Sequence, residues 1–171
     1  MDGSNTLVLS SIYMPYDSID PPPTALTMNL VAHCRSRGWR LIIGSDANSH
    51  NTAWGSSDTN PRGDNLLYYI MSANLSVCNQ GTIGTFVNVK REEVIDITLA
   101  TSNIEKEISN WRVNTEYAFS DHRLIQFELK LKRKNKVKPF RSVRLRRLTG
   151  WNKKRNFQQK WIKQSWKNIK T

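Results

Sequence analysis

Two groups of polar residues border apolar, strand-like runs and together could act on a phosphodiester. The first, Gly44-Ser45-Asp46-Ala47-Asn48, follows Leu41-Ile42-Ile43, and His50 lies close behind it. The second, Ser120-Asp121-His122, precedes the alternating apolar positions of residues 125–131. A carboxylate can orient or deprotonate a water molecule, while amide and imidazole groups can bind or protonate a phosphate oxygen. These residue types indicate metal-assisted hydrolysis of a phosphodiester.

The first group is ambiguous when it is taken alone. Side chains alternate in an extended segment, so Asp46 and Asn48 could face one pocket together. Asp and Asn after a strand also form ordinary turns, and for this group by itself that interpretation is favoured. His50 has a looser place in the pattern and could be a bystander.

The second group favours a catalytic site over ordinary turns. His122 can hold or donate a proton, provided that a carboxylate fixes its tautomer. Asp96 lies in the apolar run Val94-Ile95-Asp96-Ile97-Thr98-Leu99, where a buried carboxylate is costly unless it is paired. We therefore expect Asp96 to pair with His122. Asp121 could reach a divalent cation, and an oxygen-lined site of this kind suits Mg²⁺ or Mn²⁺ better than zinc.

The elements that must position these residues form a mixture of strands and helices. Apolar runs predict strands over residues 7–14, 40–44, 75–78, 85–87, 94–100, 108–113 and 123–131. One helix is predicted to stop at Gly38 and to bury four residues at helical spacing, Leu26, Leu30, Val31 and Cys34. A second helix is predicted to be capped by Asp64, with Leu67, Ile70 and Met71 on its apolar face. The mixture predicts an α/β sandwich.

Charge divides the chain of 171 residues into two parts. Residues 1–131 hold 10 Lys/Arg and 14 Asp/Glu, a formal charge of −4, whereas residues 132–171 hold 16 Lys/Arg and no acidic residue. We expect a domain over 1–131 and a basic linker or tail over 132–171, with an amphipathic helix from Trp151 onward. Nothing resembles a signal peptide or a membrane span, which favours an intracellular protein with two buried, free cysteines.

Five segments carry a resemblance to a known superfamily. They are Ser11-Ile12-Tyr13-Met14-Pro15, Gly44-Ser45-Asp46-Ala47-Asn48, Thr85-Phe86, Ile95-Asp96-Ile97-Thr98-Leu99 and Ser120-Asp121-His122. The chain resembles the endonuclease/exonuclease/phosphatase superfamily, and within it the apurinic-type endonuclease domain of non-LTR retrotransposons. The resemblance covers about residues 6–131. It implies part of a four-layer α/β sandwich of the DNase I-like type.

The resemblance implies a catalytic role for five residues. Tyr13 would contact the scissile phosphate, Asp46 would position or activate the attacking water, and Asn48 would help to orient that water. Asp96 would hold His122, which would stabilise charge on the transition state. A sixth residue, Asp121, would lie near the Mg²⁺ or Mn²⁺ ion. The implied substrate is DNA, and the nucleus is the favoured location.

The chain departs from the family pattern in its N-terminal part. Family members have an Asn on the first strand and a Glu that is the principal metal ligand, and residues 1–10 match neither. Glu92 and Glu93 lie in a predicted polar turn and do not match that Glu. We therefore expect the N-terminal portion of the domain to be missing and nuclease activity to be weak or absent, because catalysis depends on positioned ligands.

The basic tail leaves a second interpretation open. A Trp-containing basic linker, here Gly150-Trp151-Asn152, leads to a reverse transcriptase in the related elements, and these 171 residues do not include one. The tail could bind the phosphate backbone of nucleic acid. The candidate contacts are Lys132, Arg133, Lys134, Arg144, Arg146, Arg147, Lys153, Lys154 and Arg155. The alternative to an endonuclease fragment is therefore a catalytically dead remnant that binds nucleic acid, and a superfamily phosphatase is less favoured.

Overall fold

The described residues of this computed structural model, 6–116 and 120–130, form the mixture of strands and helices that the sequence predicts. The strands are β1 (Leu7–Tyr13), β2 (Arg40–Asp46), β3 (Leu75–Val77), β4 (Phe86–Val87), β5 (Glu92–Glu93), β6 (Asp96–Thr101), β7 (Ile108–Val113) and β8 (Ile125–Leu129). The helices are α1 (Ala25–Ser36) and α2 (Pro61–Ser72). Two short 3₁₀ turns, Thr52–Trp54 and Glu105–Glu107, precede α2 and β7.

A four-stranded sheet in the order β1-β2-β6-β3 brings distant segments to one edge. β1 and β2 run parallel, so their last residues, Tyr13 and Asp46, lie opposite each other. β6 runs antiparallel to β2, which places its first residue, Asp96, opposite Asp46. Three residues from separate parts of the chain therefore form one row across the sheet.

Apolar side chains cover both faces of this sheet. Leu41 and Ile43 of β2 belong to the larger core cluster with residues of both helices, including Val31 and Ile70. Ile42 points the other way, into a smaller cluster that contains residues of β7 and β8. This alternation follows from the two-residue repeat of a strand. The sheet is thereby held on two sides, which fixes the row of polar residues at its edge.

Each helix buries a different set of residues from the sequence prediction, and α2 also begins at a different residue. In α1, Thr24 caps the N-terminus, and Leu26, predicted to be buried, is 76% exposed. In α2 the cap is Asn60 rather than the predicted Asp64. Its buried residues are Gly63, Leu66 and Ile70, whereas Met71 is exposed. The helix begins one turn earlier than predicted because Pro61 fits its first position and Asn60 accepts a hydrogen bond from Gly63 N.

Two loop assignments are also corrected. β2 continues to Asp46, so the first polar group begins within the strand and not after it. Glu92 and Glu93, predicted in a polar turn, form β5 and pair with Val87 and Phe86 of β4. Tertiary contacts thus impose a strand on two residues of low strand propensity.

Three sequence expectations concern features away from the sheet. Cys34 is buried and Cys78 is half-buried, and both are free thiols as predicted. In the part of the chain described here, no helix is long and apolar enough to cross a membrane. The predicted helix beyond Trp151 lies outside the described residues, and the division at residue 131 stays a prediction.

Gly63 provides a test of the close packing between α2 and the segment after β2. A Cβ atom at this position would overlap the backbone carbonyl group of His50, which cannot move aside like a flexible side chain. We expect Gly63→Ala to lower the free energy of unfolding by about 2 kcal/mol or more, measured by urea denaturation. Gly44→Ala is the matched control, because a Cβ there meets no atom within 4 Å. Equal stability of the two variants would contradict this packing.

Candidate active site

His122 joins the two aspartates at the edge of the sheet. Its Nδ1 atom lies 2.9 Å from Oδ2 of Asp96, and its Nε2 atom lies 3.9 Å from Oδ2 of Asp46. The first distance is a hydrogen bond, and the second leaves a gap. The contact predicted between Asp96 and His122 is present. All three side chains are largely shielded from solvent, with 15–24% of each exposed.

Asp96 is fixed through its backbone by two polar side chains that carried no prediction. The buried hydroxyl of Thr85 accepts hydrogen bonds from the N–H groups of Ile95 (3.1 Å) and Asp96 (2.9 Å). The amide of Asn79 donates to the carbonyl oxygen of Asp96 at 3.0 Å and accepts from Thr98 N at 2.8 Å. Thr85 belongs to a motif of the resemblance, but no sequence signal marks Asn79.

The segment that carries His122 is held beside β4. Val87 N donates to the carbonyl oxygen of Asp121 and Arg123 N donates to that of Thr85, both at 2.7 Å. The ring of Phe86 packs edge-on against the imidazole of His122, with centroids 5.1 Å apart. These contacts explain how a residue far along the chain reaches the edge of the sheet, and they leave little freedom for the imidazole to rotate.

Neighbouring carboxylates favour the charged form of His122. Burial by itself lowers the pKa of this imidazole. The hydrogen bond to Asp96, together with the negative charges of Asp96, Asp46 and Asp121, outweighs burial and raises the pKa above its ordinary value. His122 is therefore suited to donating a hydrogen bond to an anion near neutral pH.

The pKa of Asp46 is raised towards neutral pH, which suits a general base. Burial and, after it, the charge of Asp96 raise the pKa of Asp46 to about 6, against the smaller opposite effects of His122 and the Asn48 backbone. Its Oδ1 atom is buried and has no hydrogen-bond partner in the described chain. Potential ligand atoms of Asp46, Asp96 and His122 lie within 4.8 Å of one another, so these three residues could together hold a cation.

Asn48 and Tyr13 flank the two aspartates. The sequence predicts that the extended segment continues through Asn48, and this prediction is wrong. The φ angle of Asn48 is 45°, which lies in the left-handed region and turns the chain. Its side-chain Nδ2 donates to the carbonyl oxygen of Met14 at 3.2 Å, next to Tyr13. Tyr13 itself is 42% exposed at the end of β1. The turn after β2 is thus tied to the end of β1.

Arg62 of α2 reinforces this connection and was missed by the sequence analysis. Its Nε donates to the carbonyl oxygen of Asn48 at 3.2 Å, and its Nη2 donates to that of Pro15 at 2.9 Å. Its guanidinium also lies 5.9 Å from the ring centroid of the exposed Tyr16. The forked shape of arginine allows one side chain to bridge both loops. No sequence signal marks these contacts, because the two carbonyl groups belong to loops that only the fold brings together.

The remaining predicted residues are not brought into the cluster. Asp121 is exposed, and its carboxylate is not among the ligand atoms that converge at Asp46, Asp96 and His122. The predicted role of Asp121 as a metal ligand stays a prediction. The nine predicted nucleic-acid contacts, from Lys132 to Arg155, lie outside the described residues.

The raised pKa of Asp46 predicts that this side chain destabilises the fold at neutral pH. The folded chain holds the proton more tightly than the unfolded chain, whose carboxyl has a pKa near 3.8, so stability falls as pH rises from about 4 to 6. With EDTA present, we expect Asp46→Asn to raise the free energy of unfolding at pH 8 by on the order of 2 kcal/mol. The gain should vanish near pH ~4.

Thermal and urea unfolding across this pH range would measure the effect. Asp20→Asn is the control, because Asp20 is an exposed aspartate away from the cluster. A loss of stability in Asp46→Asn at pH ~8 would show that burial does not disfavour the charged carboxylate.

Comparisons with known proteins agree with this geometry. Residues 7–126 match the endonuclease-reverse transcriptase family. Among solved structures, the chain is similar to the endonuclease domain of TRAS1, a telomere-specific non-LTR retrotransposon, with 28% sequence identity and a TM-score of 0.61. That alignment covers 71% of this chain and 56% of the TRAS1 chain. No curated protein matches the chain.

These matches confirm the predicted resemblance and fold class. The family match extends over well more than half of the sequence and includes Tyr13, Asp46, Asn48, Asp96 and His122. The structural match identifies the fold as the DNase I-like fold of a retrotransposon endonuclease. This chain spans little more than half the length of the structure that it resembles. It belongs to the endonuclease-reverse transcriptase family.

Proposed function

We propose that this chain contributes the base and phosphate-binding groups of a DNA endonuclease that depends on a divalent cation. The observation that carries the proposal is the row of Asp46, His122 and Asp96, with a gap of 3.9 Å between Asp46 Oδ2 and His122 Nε2. A hydrogen-bonded pair would close this gap, whereas the open gap allows both groups to contact a third atom. The family match supports a nuclease, and the site chemistry supports hydrolysis.

His122 would bind and neutralise the phosphate. Because Nδ1 is held by Asp96, the Nε2 atom is the ring position that remains directed towards Asp46. In the protonated ring, Nε2–H would donate to a non-bridging phosphate oxygen as negative charge develops on it. Asp96 would stabilise the imidazolium and fix its orientation, and would not itself take up a proton.

Asp46 would act on the attacking water. Its carboxylate would orient the water and accept a proton from it as the oxygen bonds to phosphorus. The bond from phosphorus to the departing sugar oxygen would break, and that oxygen would finish as a hydroxyl after protonation from solvent. Tyr13 and Asn48, at the adjoining strand ends, would position the phosphate from the side of β1.

A divalent cation would be held by Asp46, with Asp96 or His122 within reach. When bound, Mg²⁺ or Mn²⁺ would supply positive charge that stabilises the pentacoordinate phosphate and the departing oxygen. Since Asp96 and His122 already bond each other, Asp46 is the main carboxylate that the described cluster offers to an ion. We therefore propose weak intrinsic activity for this chain.

DNA is the substrate that we propose, with a nuclear location and no membrane partner. The similar TRAS1 protein is described as the endonuclease domain of a telomere-specific retrotransposon, which supports a nucleic-acid substrate by analogy. The matched family pairs an endonuclease with a reverse transcriptase, which we propose as the enzyme that uses the nick.

Nicking of supercoiled plasmid tests the proposed activity. We expect slow conversion to open circles with Mg²⁺ or Mn²⁺ and none with EDTA. Asp96→Asn should reduce the rate at least about 100-fold, because His122 loses the carboxylate that keeps it protonated and oriented. Asp20→Asn should nick at the parent rate. Equal nicking by the parent chain and Asp96→Asn would exclude this cluster as the active site.

A second candidate function is nucleic-acid binding by the basic tail without catalysis. The observation that favours it is the charge of residues 132–171, which contain 16 Lys/Arg and no acidic residue. Each phosphate contact releases counterions, so binding should weaken steeply as salt rises. This function is compatible with the first, and complete absence of nicking would leave it as the better description.

The salt dependence of DNA binding tests the tail. In fluorescence anisotropy with a duplex of arbitrary sequence, replacing Lys153, Lys154 and Arg155 by Gln should weaken binding at every salt concentration. The slope of log K against log salt should become shallower by up to about 2.7, that is, about 0.9 for each phosphate that the tail no longer neutralises. Lys90→Gln, at an exposed position of the domain, is the control. An unchanged slope in the triple variant would contradict a role for these residues.

A further inference from the structure

A second group of metal-ligating side chains lies apart from Asp46, Asp96 and His122. It consists of His50, Asp58 and Glu93, whose potential ligand atoms all lie within 4.8 Å of one another. His50 follows β2, Asp58 lies in the loop before α2, and Glu93 belongs to β5. The fold therefore collects one nitrogen and one carboxylate ligand from the loop between β2 and α2 and a second carboxylate from β5. The proposed nuclease chemistry uses none of them.

We propose that His50, Asp58 and Glu93 form a second metal site, which binds a divalent transition-metal ion such as Zn²⁺. One imidazole nitrogen with two carboxylate oxygens suits a borderline ion of this kind better than Mg²⁺, which takes oxygen ligands. Water would complete the coordination. This proposal stands independently of the proposed nuclease function.

The backbone of His50 is held by Asn60, and its ring is held by Asp58. The backbone N–H of His50 donates a hydrogen bond to the side-chain oxygen of Asn60 at 3.3 Å. The backbone N–H of Asn60 donates to the carbonyl oxygen of His50 at 3.1 Å. Gly63 packs directly on the same carbonyl group. The His50 side chain is 18% exposed, so most of the ring is shielded from solvent.

Glu93 is oriented towards the same point. Both of its carboxylate oxygens accept hydrogen bonds from Ser57, one from the hydroxyl and one from the backbone N–H. The neighbouring Glu92 faces the other side of β5, where it forms an ion pair with Arg123. Because side chains alternate along a strand, the Glu92–Arg123 pair leaves Glu93 directed to His50 and Asp58. Ser57 directly precedes Asp58 in the chain, so its hydrogen bonds to Glu93 hold the two acidic residues near each other.

The charges of the cluster favour a cation. Within residues 6–116 and 120–130, neither Asp58 nor Glu93 forms an ion pair with a lysine or arginine, and the ion pair of Asp58 is with His50. Two carboxylates whose oxygen atoms lie within 4.8 Å of each other repel unless positive charge lies between them. A divalent ion would supply that charge at the point where the three groups converge.

The distance between His50 and Asp58 allows an ion to bind between them after a small movement. His50 Nδ1 lies 2.6 Å from Asp58 Oδ1, the length of a strong hydrogen bond. Metal bonds of about 2.0–2.2 Å would separate these two atoms to roughly 3 Å. The exposed Asp58 can make this movement, since 66% of its side chain is open to solvent. The ion would take the place of the proton between the two atoms, and that proton would pass to solvent.

Calorimetric titration of the full 171-residue chain with ZnCl₂ tests the proposal. Because Asp46 belongs to the other cluster, the titration is carried out in parent and Asp46→Asn chains. We expect an ion to remain bound in Asp46→Asn and its affinity to fall more than about tenfold when Glu93→Gln or His50→Gln is added. Asp20→Asn, added instead, should leave the affinity unchanged. Absence of binding in Asp46→Asn, or equal affinity in all variants, would overturn the proposal.

Histidine NMR identifies the ligand directly. The chain has three histidines, at positions 33, 50 and 122, so their ring ¹⁵N signals can be assigned by single substitution. Zn²⁺ should shift the His50 signals in Asp46→Asn, and Glu93→Gln should abolish that shift while circular dichroism shows an intact fold. His50 signals that do not respond to Zn²⁺ would overturn the proposal even if the chain binds the ion elsewhere.

Discussion

The hydrogen-bond register of β1, β2 and β6 is the constraint on which the candidate active site depends. It places Tyr13, Asp46 and Asp96 in a single row at the edge of the sheet. A slip of one residue between β2 and β6 would turn one aspartate to the opposite face, because side chains alternate along a strand. The apolar layers on both sides of the sheet oppose such a slip. The core therefore maintains the active-site geometry as well as the fold.

Burial and neighbouring charges together determine the protonation of Asp46 and His122. Burial and the charge of Asp96 raise the pKa of Asp46 and so disfavour its charged form. The carboxylates around His122 raise the pKa of that imidazole and so favour its charged form. The pKa values of both groups are therefore raised, and shifted pKa values in neighbouring groups are typical of functional sites. Neutral contacts hold the groups in place, since Thr85 and Asn79 bind the backbone around Asp96 and leave its carboxylate for His122. The position and the charge state of these residues are thus controlled by different parts of the structure.

The sequence predicts the parts of the structure that follow from burial and periodicity. Asp96 within an apolar run requires a partner, which is why its contact with His122 could be expected. The start of α2 was misplaced because Asp64 and Asn60 are both good caps, and only Pro61 distinguishes them. The contacts of Arg62 and Asn79 could not be predicted, because they join loops whose proximity depends on the assembled fold. Spacing along the chain contains no information about such contacts.

Residue 48 must meet two requirements that few amino acids satisfy together. Its backbone adopts a left-handed conformation with φ of 45°, which glycine, asparagine and aspartate tolerate best. Its side chain must also donate a hydrogen bond to the carbonyl oxygen of Met14. Glycine has no side-chain donor, and an ionised aspartate would place a negative charge against the carbonyl oxygen of Met14. Asparagine alone among the three fulfils both conditions, so the identity of Asn48 can be explained by local geometry before any role in catalysis is considered.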